Sequence, residues 1–167
     1  MNDAPAAVEC PETAEPVVSA GDVADFFLTW AAERGEEGVS NLKLQKLLYY
    51  AQAWHLGLYG TSLFPEKFQA WASGPVIPEL FWRWKEFGIG PVPRPATVPP
   101  MMRSTAEFLD EVATAYMPYD VWQLHWKTRA EAPWLNARAG RDDGDPWYDE
   151  LSEADMAHHF HALATTT

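Results

Sequence analysis

The stretch at residues 40–55, SNLKLQKLLYYAQAWH, decides the fold. At about 100° per residue on a helix, Leu44, Leu47, Leu48, Ala51, Trp54, His55 and Leu58 fall on one side. Such a stripe faces a core. The opposite side should be polar, and it is not: Leu42, Tyr49, Ala53 and Leu56 share it, with Tyr50 near its edge. Lys43, Gln45 and Gln52 lie mostly on the flanks. A helix with two apolar faces is either sandwiched inside its own domain or keeps one face for another protein. Lys46 lies on the second side among Leu42, Tyr49 and Tyr50, the neighbours that helical spacing gives it. Its stem can pack on those rings while the ammonium points outward.

The rest of the chain is the setting for this helix. At 167 residues it is long enough for one domain with a real core. Its 47% hydrophobic and 14% aromatic content rules out a disordered chain. Nine tryptophans are many for this length, and indoles favour cores and interfaces. The net charge of −12 argues against nucleic acid as a partner, since phosphate binding calls for a basic stripe. Only short basic spots occur, Arg83 with Lys85 and Lys127 with Arg129. An acidic surface suits solubility and attraction to a basic protein. The single cysteine, Cys10, excludes a disulfide framework and a thiolate zinc site. No apolar run approaches a membrane span, and the N-terminus lacks a signal peptide's basic start and apolar stretch, so a cytoplasmic protein is expected.

Residues 1–18, with Pro5, Pro11 and Pro16 among Ala and Glu, read as a flexible acidic tail. The folded domain then spans about 19–165. A first helix runs to about residue 33, with Ser19 and Asp22 at capping-box spacing. The second occupies about 41–58, capped by Ser40, with Gly57 and Gly60 marking its end. Alternation around Phe68, Ala70 and Ala72 allows a minor short β element near 67–72. Gly74-Pro75 reads as a turn or break. Pro78 opens a third helix ending near Gly88. A stiff proline-rich loop follows at 89–100. Ser104 and Glu107 form a capping box for a fourth helix to about 116. Asp120 caps a fifth, to about 128. Pro133 starts a short sixth at 134–139, and Ser152 with Asp155 opens a last one, to about 163. The fold class is mainly α: a compact single-domain helical bundle with a central two-faced helix.

Nothing in the sequence supports catalysis. His158 and His161 share a helix face, but two imidazoles without carboxylates in register make a poor metal site. DDGDPWYDE lacks the alternating acidic positions of a calcium loop. His55, on the apolar face, reads as a hydrogen-bonded core histidine. No nucleophile constellation, Gly-rich phosphate loop or paired acid and base is evident. No catalytic, cofactor-binding or metal-binding residue is assigned, and no cofactor is expected.

Three segments carry a resemblance: LKLQKLLYYAQAWHLGLYGTSLF, FQAWASGPVIPELFWRWKEFG and APWLNAR, in order over about 23–138. Together they resemble the Panacea domain, the family of SocA-like antitoxins and phage-associated GepA-like proteins. The specific signals are Lys46-Leu47 before Tyr49-Tyr50, Gly74-Pro75-Val76 before a helix, and Pro133-Trp134. One departure is visible: Arg129 stands where the family commonly has a histidine shortly before Pro-Trp. Some relatives add an N-terminal DNA-binding unit, and the acidic tail is not expected to be one.

The resemblance implies an antitoxin of a type II toxin–antitoxin system, of prophage character, neutralising a cognate toxin by direct binding. It implies a toxin of the basic, translation-targeting, alarmone-synthetase-like kind. Two other readings stay open: an adaptor delivering the toxin to a ClpXP-type protease, and a small phage-derived enzyme. The candidate partner-binding residues are Lys46, Tyr49, Tyr50, Trp71, Gly74, Pro75, Trp82, Arg83 and Trp84. Trp82 and Trp84 flanking Arg83 have the composition of interface hot spots.

Overall fold

A computed structural model describes residues 18–36, 38–146 and 148–166. The expected flexible tail, Cys10 included, lies outside the described residues except for Val18. Seven α-helices and a two-stranded sheet are present among the described residues: α1 Ala20–Glu33, α2 Asn41–Tyr59, β1 Gln69–Trp71, β2 Gly74–Val76, α3 Pro78–Arg83, α4 Arg103–Tyr116, α5 Val121–Arg129, α6 Ala132–Arg138 and α7 Glu153–Thr165. The mainly α class with a small β element is the one the sequence predicts.

α2 is the axis of the bundle. From Leu44 to Ala53 every residue is buried. α7 lies along it, while α1, α4, α5 and the hairpin cover its other sides. The second apolar face is therefore occupied within the chain, and of the two possibilities for this helix the sandwiched one holds. The expected core stripe differs at its end, where Leu58 is exposed. Both α1 and α5 begin with reciprocal capping boxes, Ser19 with Asp22 and Asp120 with Gln123. Each satisfies two helix-end N–H groups that would otherwise lack partners.

Four local expectations are corrected. The Ser104–Glu107 capping box does not form: the chain enters α4 two residues earlier, with Met102 at the cap and no side-chain hydrogen bond there. Gly57 does not mark the end of α2 but sits inside it, where the chain of α7 passes so close that a Cβ would lie 2.7 Å from Phe160 Cβ. The helix ends instead at Gly60 in the left-handed conformation. The third helix breaks at Trp84, whose indole turns into the core, and continues as a 3-10 turn at Lys85–Phe87. Gly74-Pro75 is not a break but part of β2, pairing Trp71 with Gly74 and Ala70 with Pro75. Proline is tolerated because β2 is an edge strand needing no N–H there. On its other side β1 takes the Ala70 N–H bond to the Asp149 carbonyl and receives Leu151 N–H at the Phe68 carbonyl.

Candidate functional site

The polar residues threaded through α2 are tethers. A buried polar group must find a partner or cost stability, and each of these reaches a different segment. Asn41 Nδ2 donates to the Phe81 carbonyl at 3.1 Å. Lys43 Nζ donates to the Met117 carbonyl at 2.7 Å. Gln45 accepts from Ile77 N–H at 2.8 Å and donates to Asn41. Gln52 accepts from Leu63 N–H and donates to the Phe64 carbonyl. One helix thus fixes the loop before the hairpin, the hairpin exit, α3 and the end of α4.

Two buried ionisable groups stand out. Lys46 is 1% exposed and donates to the Pro75 carbonyl at 3.2 Å. No counter-charge offsets its burial, and desolvation pushes its pKa down to about 7. Glu131 accepts from the Tyr49 hydroxyl at 2.9 Å and the Tyr50 hydroxyl at 3.0 Å. Burial raises its carboxyl above the usual range, and the two tyrosine bonds pull it partly back. Both tyrosine hydroxyls are raised, first by burial and then by that carboxylate. Tyr50 also stacks on Tyr116 at 4.0 Å, and the Trp54 indole N–H donates to the Tyr116 hydroxyl.

The hairpin is held from beneath by side chains that reach its carbonyls: Lys46 at Pro75, the Trp134 indole N–H at Trp71, and Arg138 at Ala70. Gly74 has φ +108, and a Cβ there would lie 2.8 Å from Lys46 Cε. That conformation and that proximity both require glycine. The recurring sequence signals, Lys46 with the tyrosines, Gly74-Pro75 and Pro133-Trp134, are thus one contact network.

The structure separates the nine candidate residues. Lys46, Tyr49, Tyr50, Gly74, Pro75 and Trp84 are buried in this fold, because the tethers and the core use them. Trp71 is half-buried, its ring 5.0 Å from Phe81 and 5.4 Å from Tyr148. Trp82 is 60% exposed, and Arg83 is exposed with its guanidinium against the first turn of α1. Two residues absent from the sequence candidates matter more. Trp122 and Trp126, one turn apart on α5, are 65% and 64% exposed. Their i and i+4 spacing was readable; what the sequence lacked was any sign that α5 turns this face outward.

These rings join through contacts. His125 packs edge-on between Trp122 and Trp126. Its pKa is lowered by burial and then by Arg129. Arg129 lies over both Trp126 and Trp134, and ion-pairs with Asp143 at 2.9 Å. Trp134 leads through the Trp71 carbonyl to Phe81 and Trp82. The arginine at 129 therefore clamps an aromatic ladder. His55 is half-buried, its Nδ1 2.6 Å from the Thr61 carbonyl and its ring against Phe108, and His161 contacts the Gly57 carbonyl. Of the acidic loop, Asp143 and Asp149 are paired with arginines.

The class these features define is a small helical domain, organised by one tethered helix, that displays tryptophans around a clamped hairpin. The family model described as antitoxin SocA-like, Panacea domain, matches residues 44–135, more than half of the chain. The chain belongs to this family, and an antitoxin role follows in general terms. The match runs from Leu44 in α2, through the hairpin, to Leu135 in α6. No curated protein and no solved structure matches the chain. Among the described residues no helix is long and apolar enough to cross a membrane.

Proposed function

We propose that this chain is the antitoxin of a type II pair and neutralises a cognate toxin by direct protein–protein binding in the cytoplasm, with residues 19–165 as the binding unit. The observation that supports this reading is the pair Trp122 and Trp126, exposed side by side on a domain whose core is already well filled with aromatic rings. Large indoles left in water lose the burial that would stabilise them, and exposed aromatic clusters mark interaction surfaces. Trp82 and Trp71 extend the same ladder. Of the sequence candidates, the exposure of Trp82 and Arg83 and the half-buried Trp71 support direct contact with a toxin, while Lys46, Tyr49, Tyr50, Gly74, Pro75 and Trp84 are buried and support the surface from within. The net charge of −12 favours fast capture of a basic toxin.

The test is co-expression with the product of the neighbouring gene. Growth should be lost with the neighbour alone and restored by this chain, and a stoichiometric complex should co-purify. Trp122→Ala with Trp126→Ala should weaken that complex about a hundredfold, as hot-spot tryptophans do. The melting temperature should change little, because neither ring is in the core. A complex of unchanged affinity would remove this face from the interface. A neighbour that is harmless and does not bind would remove the antitoxin reading of this pair.

A further inference from the structure

α1, which precedes the family match, and α4, which lies within it, enclose a second feature. Between them lies an open cleft of about 610 Å³, with Phe26, Thr29, Trp30 and Val98 among its lining residues. Its rim carries four carboxylates, Glu33, Glu107, Asp110 and Glu111, against two guanidiniums, Arg34 and Arg103. Glu107, Asp110 and Glu111 are spaced i, i+3 and i+4 along α4 and are all exposed. Like charges at this spacing repel and weaken an isolated helix. Neither Glu107 nor Glu111 has an ion pair among the described residues. The Thr29 hydroxyl is buried without a hydrogen-bond partner among those residues.

The chain itself shows which group such a site takes. Arg34 lies with its guanidinium 4.0 Å from the Trp30 ring centroid, bonds the Trp30 carbonyl, and reaches Asp110 at 3.6 Å and Glu33 at 3.9 Å. The Trp30 indole N–H donates to Asp110 at 2.8 Å, which fixes the ring. A guanidinium held by an aromatic face and carboxylates is the arrangement that recognises arginine. One arginine from within uses Glu33 and Asp110, and Glu107 and Glu111 are left for a second from outside.

We propose that the α1–α4 cleft is a docking site for an arginine-bearing protein segment, which sets a basic residue between Glu107 and Glu111 and apolar neighbours against Phe26 and Val98. The proposal rests on the antitoxin reading for the identity of its partner but not for its chemistry. The occupant follows from charge complementarity and from the guanidinium already held there. This site is separate from the tryptophan ladder of α5, so a toxin could engage both.

The probe is a short acetylated peptide of alternating arginine and leucine, titrated into the ¹⁵N-labelled full chain, with the indole N–H signals read by NMR. The Trp30 signal should shift and saturate, while those of Trp122 and Trp126 should move less. Affinity should fall about fivefold between low salt and half-molar salt, since rim charges are screened. Glu107→Gln with Glu111→Gln, both exposed and without effect on folding, should abolish the Trp30 shift. An equal shift with spermidine would show a site for free polycations and overturn the docking of a protein segment. No Trp30 shift in a chain that still rescues cells from its toxin would overturn the cleft and leave the antitoxin reading standing. A saturable, glutamate-dependent shift in a chain that rescues nothing would support the cleft and remove the antitoxin reading.

Discussion

Urea unfolding of the wild-type protein should show stability rising between pH 7 and pH 10, and Lys46→Met should flatten that rise. The cause is the lone ammonium under the hairpin. Burial lowers the Lys46 pKa from 10.5 to about 7. Below pH 7 the amine is protonated in both states, and the folded protein bears the full cost of the buried charge. Between pH 7 and 10.5 the unfolded chain binds more protons than the folded one, so stability increases with pH. A depression of this size corresponds to about 5 kcal/mol below pH 7. Methionine keeps the shape but leaves the Pro75 carbonyl without its donor, a loss of about 1–3 kcal/mol. Lys46→Met should therefore be more stable than wild type at pH 6 by about 3 kcal/mol, with the advantage gone by pH 10. Lys43, lowered from 10.5 by burial, acts inside this window in the same direction and leaves part of the rise in Lys46→Met; the other groups act outside it. His125 and His159 are lowered from 6.5 and act below it, and the raised Tyr49 and Tyr50 hydroxyls withdraw stability only above pH 10. Parallel, flat curves for both proteins would show that the ammonium is compensated and that Lys46 is an ordinary tether.

The second large effect is expected at Gly57. A Cβ there would lie 2.7 Å from Phe160 Cβ and 2.8 Å from the His161 backbone nitrogen. Backbone cannot move aside as a flexible side chain does, so Gly57→Ala forces α7 away from α2. The alanine's gain in helix propensity, about 1 kcal/mol, does not offset this. A net loss of about 3 kcal/mol is expected, at the upper end for overpacking. In a domain of this size that lowers the melting temperature by about 8 °C. Phe160 packs edge-on to Tyr49, Tyr50 and Trp54, so the loss should also appear as altered tryptophan emission. A Gly57→Ala protein as stable as wild type would show that α7 docks more loosely than these distances state.

Both predictions concern positions whose role was only half visible in the sequence. Local chemistry was legible: Ser19 with Asp22, Ser40 and Asp120 cap the helices they were read to cap, because a capping side chain bonds its own neighbours within three residues. Ser104 is the exception, since the helix starts two residues earlier, at a Met102 cap without a side-chain bond. The central position of α2 was legible too, from apolar residues on both faces. The family was carried by motifs now seen to be a contact network, so motif and fold point to the same residues.

What the sequence determined alone is therefore the class of fold, the place of the central helix and the family. These rest on periodicity and on contacts between near neighbours. What only the tertiary structure decided is which face is free. Lys46, Tyr49 and Tyr50 were read among the partner candidates, and they are buried because distant segments bring Pro75 and Glu131 to them. Trp122 and Trp126 were not singled out, and they are exposed because α5 packs on Leu124 and Thr128 instead. The α1–α4 cleft joins Trp30 to Asp110, eighty residues apart. A periodic pattern states that a face is apolar, and it takes the packing of the whole chain to state what covers it.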